Sequence, residues 1–223
     1  LKTGYPRFFV PLVVDQLAEQ LLKWAFYSRT PSTLAPELST LLSTTGRAAM
    51  LLPAGHHARM CQTYLDAQSM GATFVLKVDF SNGIHIMENF EKTCTSNEIY
   101  AVVYPQDLAK EAKAFWQHTG FGVSSRRATY WFENAPFLHQ GSSSSATDLP
   151  NQEAEDAKLV VQQRIADLLS TETNSLDVDD VFLYPSGMSA IAHTADTVRY
   201  FTTPTKRTVA IFGYVNLELA ATP

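Results

Sequence analysis

Apolar residues along this chain recur in two rhythms. From Leu12 to Phe26 they fall at three- and four-residue steps, with Val13, Val14, Leu17, Leu21 and Leu22 in line, which predicts a helix whose apolar stripe faces a core. Beyond it the pattern shortens. Met50 to Pro53, Thr73 to Val78 and Ile99 to Pro105 are apolar, β-branched or aromatic runs that predict strands, and a helix carrying Ala58, Cys61, Tyr64 and Leu65 is expected between the first two. Ser81-Asn82-Gly83 is turn chemistry leading into a short strand-like piece at Ile84-His85. A further helix, Asp107 to about His118, sets Leu108, Ala112, Phe115 and Trp116 on one side and stops at Gly120. The alternation predicts an α/β region over residues 1–140.

A polar, serine-rich stretch then interrupts the pattern, Gln140 to Thr147, and predicts a linker over residues 141–152. Helical periodicity returns from Glu153 to Leu169, with acidic residues at its start and Leu159, Val160, Ile165, Leu168 and Leu169 on an apolar side. Asp177-Val178-Asp179-Asp180 reads as a solvated connection into a buried strand at Val181 to Tyr184. Pro185-Ser186-Gly187 breaks that strand, and a helix is expected from about Gly187 to Tyr200. A last strand, Thr208 to Phe212, ends at Gly213-Tyr214. Two parallel strands joined through that helix would make a βαβ unit, and ligands on such sheets sit beyond the carboxyl ends of the strands, where Ser186 and Tyr214 both fall.

The turn at Ser186 is the one candidate anion site in this pattern. Backbone N–H groups in the first turn of a helix lack intrahelical partners and carry the positive end of the helix dipole, so the amides of Gly187 and Met188 with the Ser186 hydroxyl suit a phosphate. The plainer reading is a strand-to-helix connection capped by a serine.

Composition narrows the class. A net charge of −5 over 223 residues, with no run of Lys or Arg, argues against a nucleic-acid partner. Two cysteines, Cys61 and Cys94, lack metal spacing and are too few for a disulfide framework, so a reducing, cytoplasmic setting is the simplest expectation. The adjacent His56 and His57 point in different directions and have no carboxylate or cysteine spaced to complete a metal site. No charged-then-apolar leader and no membrane-length apolar run is found, so no membrane partner is expected. Both ends read as open, and the chain is expected to be a fragment.

Specific residues carry a resemblance. Tyr184-Pro185-Ser186-Gly187-Met188-Ser189-Ala190-Ile191 resembles the Ser-Gly-Met-Ala-Ala signature of the Cys/Met-metabolism family of pyridoxal 5'-phosphate (PLP) enzymes, and its variants are similar to the fungal cystathionine γ-synthase branch. Gly4-Tyr5-Pro6-Arg7-Phe8-Phe9 and Phe115-Trp116-Gln117-His118-Thr119-Gly120, followed by Ser124-Ser125-Arg126-Arg127-Ala128, resemble the same group. The resemblance implies an N-terminal α/β extension over 1–140. Residues 153–223 would begin the large domain of a fold type I PLP-dependent transferase, a parallel or mixed sheet with helices. It implies PLP as cofactor, with Ser186, Gly187 and Met188 on its phosphate and Tyr214 stacked on its ring. It also implies cystathionine formation from an activated homoserine ester and cysteine, a place in transsulfuration and methionine biosynthesis, and a homo-oligomer for the full-length protein.

No catalytic residue is assigned. PLP enzymes need a lysine that binds the cofactor covalently and an aspartate at the ring nitrogen. Lys206, in Thr203-Pro204-Thr205-Lys206, stands too soon after the phosphate turn and reads as a solvated loop residue. Tyr27 and Arg29 are reminiscent of a phosphate-gripping pair of the family but lie far upstream of the turn, and their spacing is read as coincidence. The alternative from another class is a non-catalytic α/β domain that binds a partner or a small effector without PLP activity.

Overall fold

The structure, a computed structural model, describes residues 9–27, 46–68, 73–80, 83–86, 97–139 and 150–201. The chain divides into two compact units, the second formed by Asp148–Gly213.

The first unit is built on a four-stranded sheet: β1 (Arg47–Leu52), β2 (Phe74–Asp79), β3 (Gly83–Ile86) and β4 (Glu98–Pro105), in the order β1-β4-β2-β3. Every pairing is antiparallel. Because β1 and β2 both run antiparallel to β4, they are parallel to each other with β4 between them. Helix α2 (Gly55–Asp66) connects them, making a split βαβ unit.

The sequence of β4 explains its central place. Ile99, Tyr100, Ala101, Val102 and Val103 are each at most 1% exposed, so both faces of the strand are covered, and its near-continuous apolar run is what such a strand requires. Helix α1 (Leu12–Tyr27) buries Val14, Leu17, Ala18, Leu21, Leu22 and Ala25 at the predicted spacing and packs on β1 and on α4 (Ser125–Asn134). Helix α3 (Ala109–Thr119) packs beside α2. The expected α/β class, the helices at α1 to α3 and all four strands of this region are present. Helix α4, capped by the Ser124 hydroxyl accepting from Arg127 N–H at 3.2 Å, is not evident from periodicity. Only Ala128 and Trp131 are buried on it, too sparse a stripe to read in ten residues.

Two local devices hold this unit. Gly120 ends α3 at φ 65°, the left-handed region, and donates its N–H to the Trp116 carbonyl at 2.9 Å. Phe121 then enters the core, stacked on His57 at 3.9 Å, and Val123 N–H reaches the Leu51 carbonyl at the outer edge of β1. At Gly122 any side chain would collide with the Trp116 indole. The second device is polar. Glu98, 8% exposed at the start of β4, receives Lys77 Nζ at 2.6 Å and the Tyr100 hydroxyl at 2.6 Å, while Arg127 of α4 donates to the Glu98 carbonyl at 2.5 Å. A carboxylate this buried is tolerated because its oxygens have charged and hydroxyl donors.

Cys61, on α2, is fully buried, and burial pushes its thiol up to about 12. Burial also pushes the Tyr104 hydroxyl up to about 12, with Cys61 and Asp15 adding to the effect. Cys94 lies outside the described residues.

In the second unit, α5 (Asn151–Leu169) ends where Ser170 donates both its N–H and its hydroxyl to the Ala166 carbonyl. A tight turn bridged between Thr171 and Asn174 follows. Asp177 and Asp180 then form a capping box around the single turn Val178–Asp180, so these acids have a structural role beyond solvation. Helix α6 (Gly187–Phe201) closes the described chain.

The strand expected over Val181 to Tyr184 is not formed among the described residues. Val181 is extended, at φ −108° and ψ 111°, but a strand is a paired state, and the segment has no ladder partner among the described residues. Its expected partner, Thr208 to Phe212, lies outside them, as do the predicted linker core, Lys206, Arg29 and Gly4 to Arg7. The apolar side expected for α5 is not a core within this unit: Leu159, Val160, Leu168 and Leu169 are all more than half exposed, and only Ala166 is buried.

Three outcomes follow from this packing. Gly120→Ala places a Cβ at a left-handed position and is expected to lower the stability of the first unit by about 1 kcal/mol in urea unfolding followed by tryptophan fluorescence. All three tryptophans, Trp24, Trp116 and Trp131, lie in that unit. Lys77→Met removes the Lys77 ammonium from the buried Glu98 carboxylate and is expected to cost about 1–3 kcal/mol in the same measurement. Burial of Cys61 and Tyr104 in their protonated forms contributes a loss of stability at alkaline pH. The unfolded thiol ionises near its ordinary 9.0 while the folded one keeps its proton to about 12, so stability is complete below that first value and is lost as pH rises between them. Cys61→Ala should therefore flatten the decline of the urea midpoint above about pH 9, relative to the parent chain.

Candidate functional site

The candidate site is the start of α6. Pro185 has its φ fixed by its ring, and the chain bends at Pro185 and Ser186 before the helix begins at Gly187. Ser186 is the cap: its hydroxyl oxygen accepts from Ser189 N–H at 3.1 Å and its carbonyl accepts from Ala190 N–H at 3.1 Å. Two donors of the first turn are thereby satisfied. The N–H groups of Gly187 and Met188 have no partner among the described residues, and the Ser186 hydroxyl, an acceptor toward Ser189, keeps its own proton to donate.

Space beside Gly187 is clear: a Cβ built there meets nothing within 4 Å among the described residues, so no side chain crowds the backbone at that point. Two unpaired amides, a hydroxyl and the positive end of a 15-residue helix are a donor set that fits a phosphate group, the part of PLP the turn would hold. Ser189 behind it is 1% exposed and locks the first turn from the inside.

The segment entering the turn is anchored from both helices of the unit. Gln162 of α5 donates its side-chain N–H to the Val181 carbonyl at 2.6 Å. The Tyr184 ring stacks on His193 of α6, with centroids 4.7 Å apart and planes 24° from parallel. Neither contact can be read from the sequence, since nothing in the spacing of Gln162 or His193 marks them out. Of the residues expected at the site, Ser186, Gly187 and Met188 come together as the turn, and Tyr214 lies outside the described residues. Among the described residues no group of His, Cys, Asp and Glu could hold a metal ion, and no helix is long and apolar enough to cross a membrane.

The sequence model of one family, described as fungal trans-sulfuration enzyme, N-terminal domain, matches residues 13–124. The chain belongs to this family. The match runs from α1 to the cap of α4, so family membership is carried by the first unit and the Ser186 turn lies beyond it. A cystathionine gamma-synthase-like enzyme of Amanita muscaria, iboG1, is 25% identical over 85% of the chain and 37% of its own length. An alanine racemase of Aspergillus violaceofuscus, ungC, is 28% identical over 87% of the chain and 36% of its own length. A cystathionine gamma-synthase of Neurospora crassa is 32% identical over 58% of the chain and 20% of its own length. This trans-sulfuration family member thus spans well under half the length of the curated relatives it matches. No solved structure matches.

Replacing Ser186 separates its two roles. Ser186→Ala removes the cap and should cost α6 about 1 kcal/mol, seen as faster hydrogen exchange at the Ser189 and Ala190 amides. Ser186→Asp should keep exchange slow, because the carboxylate caps as well as the hydroxyl, while its charge repels an incoming anion.

Proposed function

We propose that this chain is part of a PLP-dependent enzyme that makes cystathionine by replacing the γ-substituent of an activated homoserine ester with the sulfur of cysteine, a cytoplasmic step toward methionine. Membership of the trans-sulfuration family and the cystathionine gamma-synthase names among the relatives support the reaction class. The single observation that carries the cofactor reading is the turn itself: Ser186 caps α6, the Gly187 and Met188 amides have no partner among the described residues, and a Cβ at Gly187 would meet nothing within 4 Å. In this reading Ser186, Gly187 and Met188 hold the cofactor phosphate and Tyr214 stacks on the pyridine ring, which supplies the electron sink for the chemistry at the substrate. Residues 1–140 are an α/β extension, 141–152 a linker, and 153–223 the opening of the PLP-binding domain. The full-length protein would act as a homo-oligomer, and the catalytic lysine lies outside this chain.

A second reading has its own support. The family match ends at residue 124, before the turn, and one relative is an alanine racemase, so the first unit could serve as a non-catalytic binding domain attached to different chemistries. Assay of the full-length protein separates them. Cystathionine formed from cysteine and an O-acylated homoserine supports the first reading; racemisation of alanine without cystathionine formation, or no PLP bound at all, rejects it.

On this chain alone, phosphate or PLP should bind at the turn only weakly, at roughly millimolar concentration, equivalent to about 4 kcal/mol. In NMR titration Gly187→Val should abolish that binding by filling the open approach, while Tyr27→Phe and Arg29→Ala should leave it unchanged. Loss of binding in Arg29→Ala as severe as in Gly187→Val would move the phosphate site elsewhere.

A further inference from the structure

The phosphate turn has few supports. It is entered by an extended segment that pairs with no strand among the described residues, and Phe182 within it is 75% exposed. An anion site made of backbone amides works only if those amides converge, so something must fix the rotation of the segment about the helix start. The Gln162 bond acts at Val181, five residues ahead of Ser186. Nearer the turn, the ring of Tyr184 lies against His193 of α6.

We propose that Tyr184 and His193 are positioning residues for the phosphate turn, an inference that rests on the reading of that turn as the cofactor-phosphate site. His193 stands on the same helix whose first turn supplies the Gly187 and Met188 amides, and Tyr184 immediately precedes Pro185 and Ser186. The stack therefore joins the incoming segment to the helix it must meet. With Pro185 holding φ between them, the orientation of the Tyr184 ring on His193 sets the direction in which Ser186 presents its hydroxyl and Gly187 its amide. Neither side chain touches the anion; both act through the backbone between them. The contact with Tyr184 is made by the flat face of the His193 ring, so another planar ring should serve this contact in its place.

The test is titration of inorganic phosphate into the 223-residue chain, followed at the backbone amides of Gly187 and Met188 by NMR, with circular dichroism confirming that each variant is folded. Tyr184→Ala and His193→Ala should weaken binding roughly three- to tenfold and shift both amide signals in the phosphate-free protein, whereas His193→Phe should bind like the parent. His193→Ala binding phosphate as tightly as the parent while Gly187→Val loses it would overturn this inference and leave the site reading intact. His193→Phe as weak as His193→Ala would also overturn it, because the ring face would then not be the operative feature. A parent chain that takes up no phosphate at these amides, or Gly187→Val binding unchanged, overturns the site reading and this inference together.

Discussion

The first unit depends on the burial of β4 along both edges and both faces. Its backbone hydrogen-bonds to β1 on one side and β2 on the other, which satisfies polar groups that could not otherwise be buried. Its side chains from Ile99 to Val103 are buried on both faces; α2 packs on β4 itself, α1 packs on the neighbouring β1 and on α4, and α3 packs beside α2. Charge enters this arrangement only at the strand's first residue. Glu98 is accepted there because Lys77 and Tyr100 donate to its carboxylate, while Arg127 of α4 donates to its main-chain carbonyl.

This dependence also explains what the family-like segment around Phe115 to Gly122 does in the molecule. Its marked residues serve packing: Gly120 turns the chain at positive φ, Phe121 stacks on His57, and Gly122 leaves room for the Trp116 ring. A motif that identifies the family is here a motif of architecture. That agrees with the family match ending at residue 124, within the first unit. In the second unit, among the described residues, the unpaired donors of a helix start coincide with the Ser-Gly-Met residues.

The second unit is organised by termini. Ser170, the Asp177 and Asp180 box and the Ser186 cap each close a helix end, and together they determine the path between α5 and α6. Its side-chain burial is slight by comparison, with Leu159, Leu168, Phe182 and Tyr200 left exposed. Local hydrogen bonding, more than a core, shapes the turn at Gly187.

Much of this is legible without coordinates, because it depends on neighbours in sequence. The stripe of α1, the glycine stop of α3 and the Pro-Ser-Gly break before α6 follow from three- and four-residue spacing and from backbone preferences that a residue carries with it. So does the reading of Ser186, Gly187 and Met188 as a helix start with spare donors. The tertiary structure decided what depends on distant partners: that β4 inserts between β1 and β2, that Glu98 draws Lys77 and Arg127, and that Tyr184 lies on His193. An apolar run such as Val181 to Tyr184 has the same appearance paired or unpaired. A strand exists only when another backbone answers its hydrogen bonds, and no local pattern encodes which one will.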